Sequence, residues 1–230
     1  MQAADVMTTN VITVGENADV RQIVDLLLKN RISAVPVVDG EQRIIGIVSE
    51  GDLMRRVEDH PRRRHSWWLG MMAGDDDQAR DFIKQHSRTA GEIMTRNVVS
   101  VAEDASLGDI AALLEEKHIK RVPVVRDGKL VGIVSRANLL QGLAVKGVAG
   151  VAGSADDRSI RKALMKALPE NAGVDTAFIN VIVDHGAVEL WGVVDSEAQS
   201  KAAGMAAAEV PGVKSVQNRL GQVPQWVWAE

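Results

Sequence analysis

The chain contains no cysteine, which excludes disulfides, thiolate zinc sites and cysteine nucleophiles. It has no excess of positive charge: 27 Lys and Arg stand against 31 Asp and Glu, a net charge of -4 at pH 7. No whole-chain field therefore draws it to nucleic acid or anionic lipid. No apolar run approaches the roughly 18 residues of a membrane span. Residues 1–5 lack the basic and then apolar regions of a secretory signal, so a cytoplasmic location is expected. Neither a G-x-x-x-x-G-K-[ST] loop nor an H-E-x-x-H pair occurs, and no nucleophile–base set is legible. His60, His65, His86, His118 and His185 do not combine with carboxylates at metal-ligand spacing, so neither a metal nor a catalytic role is expected of them.

What is present is an internal repeat. Met7-Thr8-x-Asn10-Val11 recurs 87 residues later as Met94-Thr95-x-Asn97-Val98. The same offset carries Val35-Pro36-Val37-Val38 onto Val122-Pro123-Val124-Val125. After one deletion, Gly46-Ile47-Val48-Ser49 maps on Gly132-Ile133-Val134-Ser135. Each copy predicts strand, helix, strand, strand, helix. The first strands are expected at residues 11–14 and 98–101. The following helices are expected to be capped by Asn17 and Asp104. Their buried faces read Val20, Ile23, Val24, Leu27 and Leu107, Ile110, Ala111, Leu114, the i, i+3, i+4, i+7 spacing. Asp39-Gly40 and Asp127-Gly128 supply the hairpin turns. The second hairpin strand then runs into a helix after Ser49 or Ser135.

Ser49 stands where a strand hands over to a helix, beside free backbone amides and the positive end of the helix dipole, an arrangement suited to an anion such as phosphate. Asp52 lies one turn on, and its acceptor-only carboxylate suits the two hydroxyls of a ribose. The same spacing also fits a pair that merely caps a helix, and the residues alone leave both readings open.

The Met-Thr opening, the Val-Pro-Val-Val strand and the Gly-Ile-Val-Ser-x-x-Asp ending resemble the CBS-domain (cystathionine-beta-synthase-type) family over about residues 1–145. The resemblance implies an α/β pair of CBS repeats whose cleft binds AMP, ADP, ATP or S-adenosylmethionine as a regulatory ligand. In copy one it places Ser49 and Asp52 on phosphate and ribose, and Ile12, Thr13, Val35 and Pro36 around the adenine. In copy two the matching set is Ser100, Arg121, Val122, Pro123, Ser135, Arg136 and Asn138. Asn138 departs from the pattern, because it carries no charge where Asp52 has one. The two sites are therefore expected to differ, with Arg121 and Arg136 able to compensate through phosphate contacts or to stand as solvated surface residues. CBS pairs commonly dimerise, so a homodimer is expected.

Residues 57–89 separate repeat 1 (1–56) from repeat 2 (90–146). This insert carries Arg62-Arg63-Arg64-His65, Trp67-Trp68 and Asp75-Asp76-Asp77. A short basic run offset by an acidic one does not predict nucleic-acid binding; the tryptophans fit a domain or subunit contact better, and a helix is expected over 81–86. Gly147, Gly150 and Gly153 mark a linker at 147–154.

Residues 155–223 read helix, strand, strand, helix, strand, a small α+β domain. The helix has Ile160, Ala163, Leu164, Ala167 and Leu168 on one face. The strands are expected at 179–183, 188–194 and 213–220, and Asp195 or Ser196 caps the second helix. Val181-x-Val183-x-x-Gly186-x-Val188-x-Leu190-x-Gly192 and Gly212-Val213-x-x-Val216-x-Asn218 resemble the BON domain of bacterial proteins. That family is associated with phospholipid or membrane attachment, which an acidic domain disfavours. Trp226 and Trp228, in a tail at 224–230, could insert at a lipid interface or pack within the protein. Two functional expectations follow. One is a non-enzymatic adenosyl-ligand sensor that signals to a protein partner or to the BON domain. The other is an envelope-associated scaffold whose CBS pair is purely structural.

Overall fold

The computed structural model describes residues 1–54, 89–146 and 155–222. The expectations for the Arg62–Arg64, Trp67, Trp68 and Asp75–Asp77 insert, for the helix at 81–86, for His60, His65 and His86, for Gly147, Gly150 and Gly153, and for Trp226 and Trp228 lie outside the described residues. In chain order the elements are α1 (Ala3–Val6), β1 (Val14–Gly15), α2 (Val20–Asn30), β2 (Ala34–Val38), β3 (Ile44–Ser49), α3 (Glu50–Met54), α4 (Ala90–Ile93), β4 (Val101–Ala102), α5 (Leu107–Glu116), β5 (Arg121–Arg126), β6 (Lys129–Ser135) and α6 (Arg136–Lys146). They continue with α7 (Ala155–Ala172), β7 (Ile179–Asp184), β8 (Ala187–Val194), α8 (Glu197–Ala208) and β9 (Ser215–Gln222). Three three-stranded sheets result, β1-β2-β3, β4-β5-β6 and β7-β8-β9.

Each repeat builds a short parallel strand beside a hairpin: β1 runs parallel to β2, and β4 runs parallel to β5. The first strands are shorter than expected, because only Val14–Gly15 and Val101–Ala102 enter a ladder. The helix caps also differ from expectation. The Ala18 amide turns back to the Gly15 carbonyl, so α2 starts later and Asp19, not Asn17, accepts from the Arg21 amide at 2.7 Å. Gln22 reaches back to the Asp19 amide, completing a capping box. Copy two repeats the shift, with Ser106 in place of Asp104 accepting from the Asp109 amide at 3.1 Å. The buried faces hold at Val20, Ile23, Leu27, Ile110 and Leu114, whereas Ala111 is exposed. Asp127 and Gly128 both take positive φ, as a two-residue hairpin turn requires. Copy one has one residue more. There the Asp39 carboxylate gathers the Glu41 and Arg43 amides, and Gln42 rather than Gly40 takes the left-handed conformation.

Contacts divide the chain into two units that cut across the repeats. The larger holds Met1–Val11, Ser100–Arg126 and Val131–Glu230; the smaller holds Ile12–Val99 and Asp127–Leu130. Each unit therefore takes its N-terminal arm from the other copy. In the larger unit the Ala3 and Ala4 amides donate to the Ala105 and Glu103 carbonyls, and Thr8 exchanges both backbone bonds with Ile133. In the smaller unit the Ala90 and Gly91 amides donate to Ala18 and Glu16, and Thr95 pairs with Ile47 in the same way. The arm's methionine packs on the partner glycine. A Cβ added to Gly132 would lie 2.4 Å from the Met7 sulfur, and one on Gly46 would lie 2.2 Å from the Met94 sulfur. Ala90, Ile93 and Met94 consequently share a core with Val20, Ile23, Leu27, Val35, Val37 and Val48.

The C-terminal α-β-β-α-β domain lies within the larger unit. β7 and β8 are antiparallel and β8 and β9 parallel. Ile160, Leu164 and Leu168 of α7 pack with Val181, Val183, Val188, Leu190, Ala203 and Ala207, while Ala163 is exposed. Ser196 caps α8 through the Gln199 amide. The last strand starts at Ser215 rather than 213, because the Val213 amide closes a turn on Val210 and the Lys214 amide binds the Gly186 carbonyl. Gly192 has φ 131, and a Cβ there would stand 2.0 Å from the Phe178 carbonyl oxygen, so only glycine fits. Residues 179–183 do not alternate between buried and exposed. All five are buried, because α1 and α6 cover the face of β7 that points away from α7 and α8.

Candidate ligand site in the two repeats

The two strand-to-helix junctions are built alike. The backbone amide and hydroxyl of Ser49 both donate to Oδ2 of Asp52, at 2.9 and 2.7 Å. In copy two the amide and hydroxyl of Ser135 donate to Oδ1 of Asn138, at 2.8 and 2.6 Å. Asp52 is 2% exposed and Asn138 5%. In both copies a side chain in the first turn reaches back to the amide that precedes the helix, as in a capping box, and in copy two the Asn138 amide also donates to the Ser135 hydroxyl at 3.4 Å. The outcome in both copies is a serine hydroxyl and a first-turn oxygen held in contact at the end of a half-buried strand.

The other expected site residues fall into three groups. Val35, Pro36, Val122 and Pro123 are buried on the hairpin strands β2 and β5. The register sets Val35 opposite Val48 and Ala34 opposite Ser49, so this strand neighbours the Ser49 junction. Ile12, Thr13 and Arg121 are half-buried, and Ser100 is exposed. Arg136 is exposed and reaches back to the Ile119 carbonyl. Two grooves are bounded by residues of a single unit. One, of about 650 Å³, is lined by Val20, Val24, Leu27, Leu28, Arg31, Ile32, Glu50, Leu53 and Met54. The other, of about 740 Å³, lies between the start of α7 and the His185-Gly186 and Pro211-Gly212 turns. None of the expected nucleotide-contacting residues lines either groove.

Asn138 differs from Asp52 in what it does with its second atom. Its Nδ2 donates to the Val6 carbonyl at 3.2 Å. The Ser135 amide can only donate and the Val6 carbonyl can only accept, so the carboxamide orientation is fixed from both ends. Val6 ends α1, and the neighbouring carbonyls of that helix are also occupied. Arg161 of α7 donates to the carbonyls of Ala4, Met7 and Val181 and lies 3.5 Å from Oδ1 of Asn180. Arg161 is 7% exposed. Burial draws its guanidinium well below the ordinary value, to about 10, with Asp5 opposing the fall. Asp5 accepts from Arg158 at 3.0 Å and from the Gln2 amide at 2.8 Å. Asn180 donates to Gln141 of α6 at 2.7 Å.

Sequence reasoning missed Asp5, Gln141, Arg158, Arg161 and Asn180. One signal was available: Arg161 falls on the apolar stripe of α7, beside Ile160 and three residues before Leu164, and a charge in a buried stripe has a partner or a function.

Among the described residues no group of three or more His, Asp and Glu could hold a metal ion. No described helix is long and apolar enough to cross a membrane.

Two structural repeats that share a short parallel strand, a β-hairpin and a closing helix, followed by an α-β-β-α-β domain, define a repeat-pair module with an appended small domain. The chain carries a pair of CBS domains, at residues 3–59 and 90–145, followed by a BON domain at 156–224. It is 29% identical over 154 residues to an uncharacterised protein of Methanocaldococcus jannaschii, covering 62% of this chain and 91% of that one. It is 33% identical over 132 residues to the chloroplastic CBS domain-containing protein CBSX1 of Arabidopsis thaliana, covering 53% of this chain and spanning about half, 54%, of that protein. Among solved structures it resembles CBSX2 in complex with AMP, with a TM-score of 0.54 and 28% identity over 63% of this chain and 97% of that one.

Proposed function

We propose that this chain is a non-enzymatic regulatory protein whose CBS pair binds an adenine nucleotide of the AMP class, with Ser49 and Asp52 as the principal polar contacts. The observation that carries the reading is the Ser49–Asp52 junction. A carboxylate and a hydroxyl are held at a helix start beside the buried Val35-Pro36 strand, in a chain similar to a protein crystallised with AMP. Two bonds from Ser49 order the Asp52 carboxylate. A ribose then exchanges one set of hydrogen bonds for another and orders little further chain, which favours affinity. The Ser49 hydroxyl can rotate toward a phosphate, because it is both donor and acceptor. In copy two the neutral Asn138 offers weaker polar contacts than a carboxylate, so this site binds more weakly or takes a different adenosyl ligand. S-adenosylmethionine belongs among the candidates to be tried there. The exposed Leu28, Met54, Leu140 and Leu143 suit a homodimer of CBS pairs. The cytoplasm suits a sensor of nucleotide levels.

The scaffold reading has its own support in the same geometry, since Asp52 and Asn138 already satisfy the serine donors as plain caps. Calorimetry with AMP, ADP, ATP and S-adenosylmethionine separates the two. Binding that falls at least tenfold in Asp52→Ala and less in Asn138→Ala supports the sensor, because a hydrogen bond to a charged group is worth about 1.5–3 kcal/mol. No binding of any of the four, together with flotation on liposomes, supports the scaffold.

A further inference from the structure

We infer that Asn138 is a mechanical link between the second CBS site and the BON domain. Four observations carry this. First, Asn138 spends its acceptor on Ser135 and its donor on Val6. A carboxylate could make the first contact but not the second, because it has no proton to give. The residue that breaks the CBS pattern is thus the one this junction requires. Second, Val6 belongs to α1, whose neighbouring carbonyls at Ala4 and Met7 are held by Arg161 of the BON helix α7. Third, Arg161 also grips the Val181 carbonyl of β7, so one buried guanidinium spans the arm and the BON sheet. Fourth, a parallel route joins the same parts: Asn180 of β7 donates to Gln141, three residues beyond Asn138 on α6.

The consequence for regulation rests on the nucleotide reading given above; the link itself does not. Any ligand at the second site that takes the Asn138 carboxamide competes with the Val6 carbonyl. Its binding releases one of the bonds on the last turn of α1, and the arm loosens its hold on Arg161 and β7. The BON domain is thereby coupled to the second site, and copy one has no equivalent donor at Asp52.

The test is amide hydrogen exchange by mass spectrometry on the full chain. Asn138→Asp is expected to speed exchange of residues 1–8 and 179–184 about tenfold, the cost of one lost buried hydrogen bond. Asp52→Asn leaves both segments unchanged, and α8 keeps its protection in both variants. Unchanged exchange at 1–8 and 179–184 in Asn138→Asp overturns the link. If α8 also loses protection, Arg161→Gln and the double variant decide. A linked pair gives a double variant no faster than the faster single one, whereas multiplied effects show independent sites and overturn the link. AMP titrated into the unaltered chain is expected to speed the same two segments. AMP bound at the second site, as Asn138→Ala calorimetry reports, without such a change overturns the coupling. Absence of binding by all four of AMP, ADP, ATP and S-adenosylmethionine in calorimetry on the unaltered chain overturns the nucleotide reading instead, and the Asn138→Asp result then still decides the link.

Discussion

In copy one the side chain one turn past the sheet is a carboxylate that takes two hydrogen bonds from Ser49; in copy two it is a carboxamide that takes the same two from Ser135 and gives a third to Val6. The backbones match, the distances match, and both side chains are buried. One atom differs, and it changes the neighbourhood to which the junction is attached. The lesson is that a departure from a family pattern need not be a weakened version of the family's site. Here the departing residue fits a contact that a carboxylate cannot make, to an arm clamped by a third domain.

The largest expected effect comes from removing that clamp. Arg161→Met leaves the Ala4, Met7 and Val181 carbonyls without their donor and is expected to lower the stability of the larger unit by about 3 kcal/mol, within the range for breaking a buried charged network. Native-state hydrogen exchange should locate the loss in α1 and β7, with α2 and β3 of the smaller unit untouched. Equal losses in both units would mean that the contrast between the copies is not local.

A smaller effect separates the copies at their arms. Gly132→Ala and Gly46→Ala both drive a methyl group into a methionine; the three atoms nearest the added carbon at Gly46 all belong to Met94, whereas at Gly132 one of the three is a backbone oxygen, Thr8 O at 3.1 Å. Each should cost about 1–2 kcal/mol, with Gly132→Ala the worse, since a methionine can repack and a paired strand cannot. Thermal unfolding of the two variants checks the order. A reversed order would show that the arm of copy two, which packs on Gly46, is the tighter.

The smallest effect concerns pH. Arg161 has a lowered value of about 10, so the unfolded chain holds the extra proton only above that pH, and stability gains from this group only as pH rises beyond about 10. The stability difference between the unaltered chain and Arg161→Met should therefore stay constant between about pH 6 and pH 9 in denaturant titrations. A slope in that range would assign the junction's pH response to a group other than Arg161.

Much of the fold was legible because it depends on local rules and on repetition. The hairpins, the faces of α2 and α5, and the order of elements in the C-terminal domain follow from apolar spacing and turn residues, and the repeat gives the hairpins and the two helix faces a second instance. The helix caps were misplaced by two residues because Asn17 and Asp104 are also good cap residues, and only the turn closed by Gly15 and Ala18 moves the helix start to Val20. The glycines of the BON motif were visible, but their reason was not: a carbonyl from Phe178, fourteen residues away, occupies the space beside Gly192. In the candidate site, the placing of Ser49 against Asp52 and of Ser135 against Asn138 could be read from a three-residue spacing on a helix. What Asn138 does with its amide could not.

The sequence by itself determined two copies of one supersecondary unit, a third small domain, and a serine with a first-turn polar partner in each copy, because periodicity, caps and turns act over a few residues. The tertiary structure alone decided that the Met-Thr arm of each copy packs on the Gly-Ile strand of the other, that α1 and α6 cover β7, and that a BON arginine closes on the carbonyls beside Val6. Those outcomes depend on which backbone acceptors are brought together from distant parts of the chain, and a main-chain carbonyl leaves no mark in the identity of the residue that bears it.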